Sequence, residues 1–128
     1  MADDRNLSKE TDGALLSSLT SELEVKPHKD CTPWTYQVLN NTKQHYSLIF
    51  RSGQQYDYVL MKDDKLIEKY SDGKMFTQQI IFRNIAPGDS LSWSGEWCNL
   101  SPGKYALTFW VTDLNWSSLT KHTFFEIH

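Results

Sequence analysis

Residues 52–78, SGQQYDYVLMKDDKLIEKYSDGKMFTQ, decide the fold of this chain. Aromatic and aliphatic side chains occupy every second position at the start of this stretch, at Tyr56, Tyr58 and Leu60. A period of two is typical of a half-buried strand. Residues 66–70 supply a returning strand, and residues 62–64 form the turn between the two. The pattern therefore predicts a β-hairpin with a polar loop on each side, at residues 52–55 and 71–76.

Short strands separated by turn signals fill the rest of the chain after residue 18. Besides the hairpin, the alternation predicts strands over residues 19–26, 34–40, 46–50, 78–84, 91–97, 105–111 and 121–127. The pair Asn40-Asn41 marks a tight turn, since asparagine tolerates the left-handed backbone that such turns require. No helical period of useful length appears after residue 18. The sequence predicts an all-β protein, an antiparallel β-sandwich of about eight or nine strands.

Length and charge restrict the organisation and the partners of the protein. A chain of 128 residues fits one domain, so residues 19–128 are predicted to form the sandwich and residues 1–18 a flexible N-terminal arm. The net charge of −3 comes from interspersed acids and bases, which offer no basic stripe to nucleic acid or to anionic lipid. Residues 1–18 also lack the basic start and long apolar run of a secretory signal. A cytoplasmic protein that binds neither nucleic acid nor membrane is expected.

The two cysteines, Cys31 and Cys98, are 67 positions apart, a separation close to that of the paired cysteines of immunoglobulin domains. Their context differs from that pair, because Cys31 lies in a polar run and Trp34 follows only three residues later. In a reducing compartment, free thiols are the expected state. Whether the two side chains approach each other stays open at this point.

Nothing in the sequence predicts catalysis, a metal site or a cofactor. A G-x-S-x-G elbow, a phosphate-binding glycine loop and an HExxH pair are all absent. The histidines are not at metal-ligand spacing with one another or with a cysteine pair, and they lie at His28, His45, His122 and His128. An enzyme would therefore require a metal or a nucleophile that the sequence does not reveal.

Two acidic residues near the hairpin loops, Asp57 and Asp72, are interpreted as structural. A carboxylate close to a loop can accept backbone N–H bonds and fix the conformation of that loop. Gly53 and Gly73 are interpreted as positions that need a positive φ angle. The loops that flank the hairpin are therefore predicted to be internally braced.

Four motifs in the same order resemble the intracellular proteinase inhibitors of the BsuPI type. They are SGQ-x-YD from Ser52, S-x-G-x-MF-x-Q from Ser71, PG-x-S-x-x-W from Pro87 and L-x-PG-x-Y from Leu100. The resemblance spans about residues 19–111. Two features depart from the family: Tyr70 stands where tryptophan is usual, and the turn at residues 62–64 lacks a glycine. The resemblance implies an immunoglobulin-like sandwich that inhibits an intracellular subtilisin-type serine protease.

The hairpin loops are the candidate contact with the protease, through Ser71, Asp72, Gly73, Lys74, Met75, Phe76 and Gln54. Phe76 is expected to belong to the core, and Lys74 and Met75 to be exposed. Two modes of inhibition stay open. The loop could enter the cleft like a substrate, or several loops could plug the cleft as a wedge, and clustered end loops favour the wedge.

The position of these loops follows if every strand crosses the sandwich from end to end. One end then collects residues 27–33, 52–55, 71–76 and 98–103, and the other collects residues 41–43, 62–64, 85–89 and 112–120. The long loop of the second end offers a rival contact surface, with Leu114, Asn115 and an exposed Trp116 as anchor. A non-catalytic β-sandwich adaptor for a protein or a ligand is the alternative function, because fold does not fix function.

Overall fold

A computed structural model describes residues 18–128, so the predicted N-terminal arm lies outside the described residues except for Ser18. The strands are β1 (Thr20–Val25), β2 (Cys31–Leu39), β3 (Tyr46–Phe50), β4 (Tyr56–Lys62), β5 (Lys65–Lys69), β6 (Ile81–Ile85), β7 (Ser90–Cys98), β8 (Gly103–Val111) and β9 (Lys121–Ile127). A single 3₁₀ turn, Ser117–Leu119, precedes β9. The all-β prediction is confirmed.

The strands form three antiparallel sheets, in the orders β1-β2-β7, β5-β4-β8-β9 and β3-β6. The first two face each other as an immunoglobulin-like β-sandwich, because each turns one set of alternate side chains inward. The largest fully buried side chains include Tyr36, Phe50, Phe109, Leu48, Leu60 and Leu107. Burial of these apolar surfaces is the main favourable contribution to folding.

One aromatic residue, Trp34, joins the two facing sheets. Its indole packs directly against Gly95, its partner across the β2–β7 ladder, where an added Cβ would stand 2.7 Å from the ring. From that position the ring contacts Tyr56 and Phe109 of the opposite sheet, at centroid distances of 5.6 and 5.0 Å. The glycine is therefore required for this close approach.

The cysteines form a disulfide, so the expectation of free thiols was wrong. Strand β2 begins at Cys31, three residues earlier than predicted, and this places Cys31 directly opposite Cys98 in the β2–β7 register. The Cα atoms are 4.0 Å apart. In an immunoglobulin domain the corresponding bond joins the two sheets, whereas here it joins neighbouring strands of one sheet.

The predicted grouping of loops at the two ends was also wrong. Residues 98–103 lie beside the β4–β5 turn, since Asp63 N–H bonds Lys104 O and Lys62 Nζ bonds Ser101 Oγ. Residues 52–55 instead adjoin residues 112–114 at the opposite end. The reason is that β3 and β6 pair only with each other and do not cross the sandwich, which shifts every loop between them to the other end.

The turn after β2 is confirmed, but its cause is the side chain of Asn40 rather than a left-handed backbone. The fully buried amide donates to Gln44 O and Ile85 O, both at 2.8 Å. Its oxygen accepts bonds from the backbone N–H and the hydroxyl of Thr42. All four hydrogen-bonding capacities of the amide are therefore used.

A two-residue turn connects β4 to β5. Its central residues, Asp63 and Asp64, have φ angles of 48° and 68°. Positive φ at both positions is the signature of a type I′ hairpin turn, and aspartate tolerates it without glycine. The missing family glycine is explained by this tolerance.

Removing the disulfide should lower stability without abolishing the fold. The bond closes a segment of 67 residues, and the loss of that restraint on the unfolded chain is worth about 2–4 kcal/mol. Urea unfolding of the oxidised protein, the reduced protein and a Cys31→Ser/Cys98→Ser double variant measures the difference. The double variant should not respond to reductant, and equal unfolding midpoints for oxidised and reduced protein would contradict the prediction.

Replacing Asn40 with alanine should destabilise the protein by about 3 kcal/mol, because buried partners of the amide lose their hydrogen bonds. The neighbouring Asn41 is exposed, so Asn41→Ala should change the free energy of unfolding by less than about 0.5 kcal/mol. Urea unfolding of both variants provides the comparison. Similar losses for the two variants would show that the amide network does not carry this stability.

Candidate functional site

The buried carboxylate of Asp57, only 5% exposed, holds the start of loop 71–76. One of its oxygens accepts the backbone N–H groups of Tyr58 at 2.9 Å and Ser71 at 3.1 Å. The other accepts the Ser71 hydroxyl at 2.8 Å. Hydrogen bonds to an ionised acceptor are stronger than those between neutral groups. Asp57 is thus a structural brace, as the sequence indicated.

Aromatic stacking fixes the same loop from the core side. Tyr70 stacks on Tyr56 with ring centroids 4.5 Å apart, and Phe76 packs against Tyr70 at 6.3 Å. The ammonium of Lys74 lies 4.4 Å from the centre of the Tyr70 ring, within the range of a cation–π contact. Tyr70 therefore supports both the beginning and the end of the loop.

A backbone contact secures the far end of loop 71–76. Gly53 N–H donates to Thr77 O at 2.9 Å, and an added Cβ on Gly53 would stand 2.5 Å from the Thr77 hydroxyl. Gly53 is therefore required for close approach and not for a positive φ, which corrects the prediction for this residue. Gly73 has a φ of 75°, as predicted.

Between these supports, Met75 projects into solvent with 98% of its surface exposed. Lys74 and Asp72 are also exposed, whereas Phe76 and Ser71 are half-buried. Asp72 differs from its predicted bracing role, since its backbone N–H bonds Lys69 O and its carboxylate lies free among the described residues. Some residues of loop 71–76 therefore hold the loop in place, and one apolar side chain, Met75, is exposed to solvent.

The rival loop adjoins this site instead of lying at the far end. The hydroxyl of Thr112 donates to Gln54 O at 2.7 Å, and Thr112 N–H donates to Gln55 O at 3.0 Å. Gln54 is half-buried and donates its side-chain amide to Tyr56 O. Loop 52–55 therefore lies between the two candidate surfaces and is bonded to both.

Within the rival loop, Leu114 is 47% exposed and Asn115 is exposed. Trp116, however, is half-buried and packs edge-on against Tyr46 at 5.5 Å. The expectation of an exposed tryptophan anchor was wrong, because the ring belongs to the margin of the core. Leu114 is the more accessible apolar group of this loop.

A groove beside loop 71–76 was not predicted. It has a volume of about 350 Å³, and we call it the aromatic groove after its main lining residues: Gln54, Tyr56, Tyr70, Phe76, Arg83 and Trp93. Gln55 organises one wall, as its side-chain oxygen accepts Arg83 Nη1 at 2.7 Å and Trp93 Nε1 at 3.2 Å. The sequence signal that could have indicated the groove is Arg83, the only charged residue in the predicted strand at residues 78–84.

Burial keeps the tyrosines beneath the site neutral. It raises the pKa of Tyr56 and of Tyr58 well above the usual value for a phenol, and the pKa of Tyr36 in the core to about 12. For Tyr56, the neighbouring Tyr70 hydroxyl raises the pKa further. At neutral pH the Tyr56 hydroxyl is therefore a hydrogen-bond donor.

Within residues 18–128, one group of side chains has metal-ligand proximity. The sulfur atoms of Cys31 and Cys98 and a carboxylate oxygen of Glu96 lie within 4.8 Å of one another. The two sulfurs are bonded to each other, so neither is a thiolate ligand in this state. The described part of the chain also contains no helix long and apolar enough to cross a membrane.

Removing the Asp57 brace should destabilise the protein and loosen loop 71–76. Asp57→Ala leaves the N–H groups of Tyr58 and Ser71 without their acceptor, at a cost of about 3 kcal/mol. Asp72→Ala, on the exposed part of the same loop, should change stability by less than about 0.5 kcal/mol. Urea unfolding measures both, and amide hydrogen exchange at residues 71–76 should accelerate only in Asp57→Ala. Unchanged exchange in that variant would contradict the bracing role.

Comparison with solved structures finds matches of low sequence identity. The CARDB domain of a Pyrococcus furiosus protein, solved with di-metal ions, shares 12% identity at a TM-score of 0.48, covering 86% of this chain and 92% of that chain. β-Glucosidases of Listeria innocua and Kluyveromyces marxianus share 8% and 14% identity, both at a TM-score of 0.46. The two matches cover 86% and 88% of this chain, but this chain spans only 16% and 14% of the length of the two β-glucosidases.

Among curated proteins, no sequence is similar enough to count as a relative. A family model does match, over residues 19–116, which include all three loops of the site and the lining of the aromatic groove. That family is described as BsuPI, the intracellular proteinase inhibitors. The match covers most of the chain, and the chain therefore belongs to the BsuPI family of intracellular proteinase inhibitors.

Proposed function

We propose that this protein inhibits an intracellular subtilisin-type serine protease by occluding its substrate cleft with loop 71–76, reversibly and one-to-one. The family is one of proteinase inhibitors, which are not themselves catalytic. The observation that supports the proposed contact is Met75, a large apolar side chain held almost wholly in solvent on a braced loop. Proteases of this type accept large apolar side chains in their clefts.

The energetics of such a contact are favourable. Transferring a methionine side chain from water into an apolar pocket contributes about 1.5–3 kcal/mol. Binding also orders mobile groups, a cost that falls when the loop already holds its bound conformation. The Asp57 carboxylate and the stacked Tyr70 supply that order before any encounter. The loop can therefore retain most of the free energy gained by burying Met75.

The backbone of the loop supports a wedge rather than a substrate-like insertion. Two successive tight turns curl it, with hydrogen bonds from Asp72 N–H to Lys69 O and from Lys74 N–H to Ser71 O. A substrate-like inhibitor presents an extended segment that pairs with the edge of the cleft. Loop 71–76 would have to open both turns to do so. The adjoining loops at residues 52–55 and 112–116 provide further surface for a wedge.

One observation favours the alternative, a protein-binding adaptor. An apolar row crosses the outer face of the four-stranded sheet, where the register aligns Leu66, Met61, Ala106 and Phe124. Phe124 is 80% exposed and Leu66 is 56% exposed. Exposed apolar patches on soluble domains often mark interaction sites. This face is remote from loop 71–76, so the two functions require different residues.

The test is a titration of a subtilisin-type protease with the purified protein, following residual hydrolysis of a small peptide substrate. The wild type should give an equivalence point near one-to-one, and a chymotrypsin-fold protease should be unaffected. Met75→Ala should weaken inhibition by about 10- to 100-fold, the equivalent of losing the burial of this side chain. Phe124→Ala is the matched control, since it removes an exposed apolar side chain from the outer face of the four-stranded sheet, and it should inhibit like the wild type. Leu114→Ala, in the adjoining loop, should weaken inhibition less than Met75→Ala does.

Undiminished hydrolysis at large excess of folded, uncleaved protein would overturn the proposal for that protease. Inhibition that survives Met75→Ala but is lost in Leu114→Ala would assign the contact to the rival loop. A progressive cleavage between residues 71 and 76 at full potency would favour substrate-like insertion over the wedge. Mass spectrometry of the incubated inhibitor distinguishes these last two modes.

A further inference from the structure

The aromatic groove contains a cation that lacks a counter-charge among the residues that the structure describes. Arg83, on β6, is half-buried, and within residues 18–128 a single one of its five N–H donors is engaged, by Gln55 Oε1 at 2.7 Å. Across residues 18–128 no carboxylate lies within ion-pair distance of its guanidinium. Lys74, which lies over the Tyr70 ring, adds a second positive charge near the groove. The groove is therefore electrostatically suited to an anion.

The guanidinium is held in a defined position. Gln55 accepts from both Arg83 and Trp93, and its own backbone oxygen accepts from Thr112 N–H at 3.0 Å. The Arg83 guanidinium carbon lies 5.9 Å from the centre of the Trp93 ring. An arginine fixed in this way can present a planar pair of donors, the geometry that a carboxylate accepts in a bidentate manner.

Beside Arg83 and the two glutamines, the groove is lined by aromatic rings, and it is larger than a carboxylate needs. Tyr56, Tyr70 and Phe76 line it with aromatic rings, and its volume of about 350 Å³ leaves room for a large side chain beside the charged group. Sites for specific ligands combine an apolar wall with a few fixed polar groups in this way. The lining therefore suits a ligand with two parts, a carboxylate that pairs with Arg83 and a large apolar group that contacts the aromatic rings.

We propose that the aromatic groove binds a peptide segment that carries a carboxylate next to a large apolar side chain, with Arg83 pairing the carboxylate. Under the proposed function this segment belongs to the protease, beside the cleft that receives Met75. Only the identity of the partner rests on that function. The recognition itself is a property of this chain and can be measured without a protease.

The experiment is a ¹H–¹⁵N NMR titration of the full chain with three small probes. N-acetylphenylalanine carries a free α-carboxylate, and N-acetylphenylalaninamide is the same molecule without the charge. N-acetyl-aspartyl-phenylalaninamide places the carboxylate on a side chain. Charged probes should shift amide resonances around the groove, with the uncharged probe binding at least about fivefold more weakly, since a charge-assisted bidentate pair exceeds a neutral hydrogen bond. Tighter binding of N-acetylphenylalanine would indicate a preference for a chain terminus, and tighter binding of N-acetyl-aspartyl-phenylalaninamide a preference for an acidic side chain.

Variants assign the effect to Arg83. Arg83→Gln should abolish the preference for charged probes, and Arg83→Lys should retain part of it, as lysine keeps the charge without the fork. Arg51→Gln, at an exposed position before loop 52–55, is the matched control and should behave like the wild type. Retention of native-like spectra by each variant shows that the fold is intact.

Equal binding of charged and uncharged probes, or no shift around the groove at millimolar concentrations, would overturn the inference. A preference that persists in Arg83→Gln would overturn the role of Arg83. The protease titration is a separate result: an inhibitor that blocks the protease while its groove ignores carboxylates keeps the proposed function and loses this inference. A protein that binds carboxylates in the groove but does not inhibit the protease would keep this inference and lose the proposed function.

Discussion

The packing of Trp34 on Gly95 is the contact on which the arrangement of the site depends. Only a residue without a Cβ lets the indole pack this closely against β7, and from there the ring touches Tyr56 in the facing sheet. Tyr56 in turn stacks on Tyr70, the residue from which loop 71–76 departs. A continuous set of aromatic contacts thus connects the centre of the sandwich to Tyr70 and Phe76, at the two ends of loop 71–76. The core of the sandwich therefore positions loop 71–76 through Tyr70.

The short β3–β6 pair determines which loops become neighbours. Because this pair does not cross the sandwich, residues 52–55 and 71–76 arrive at the same end as residues 112–116. The pair also brings Arg83 beside Gln55, and so closes one wall of the aromatic groove. A nine-strand sandwich in which every strand crossed would have separated these elements. The site is therefore a consequence of one local departure from regular strand order.

The sequence predicted the features that depend on the local alternation of apolar and polar residues. It missed the features that depend on which side chains and segments meet in the folded protein. The alternate faces of β7 were predicted correctly, since that strand has a strict period of two, and the predicted limits of β9 match the observed strand. The role of Gly53 was misjudged, because it is decided by Thr77, a partner distant along the chain. The role of Asn40 was misjudged because its side chain, which bonds Thr42, Gln44 and the distant Ile85, forms the turn. The exposure of Met75 was predicted from its place in a polar loop. The groove was not, as its walls come from four separate segments.

The disulfide and the proposed contact loop lie at opposite ends of the sandwich, and this separation bears on how an intracellular inhibitor could work. Thiols are normally reduced inside cells, where a loop braced by a disulfide would lose its support. Here the bond between Cys31 and Cys98 joins strands that are already paired along nine residues each. Loop 71–76 is held instead by the Asp57 carboxylate and by Tyr70, neither of which responds to reductant. Reduction should therefore lower global stability while leaving the conformation of loop 71–76, and with it the proposed contact surface, intact.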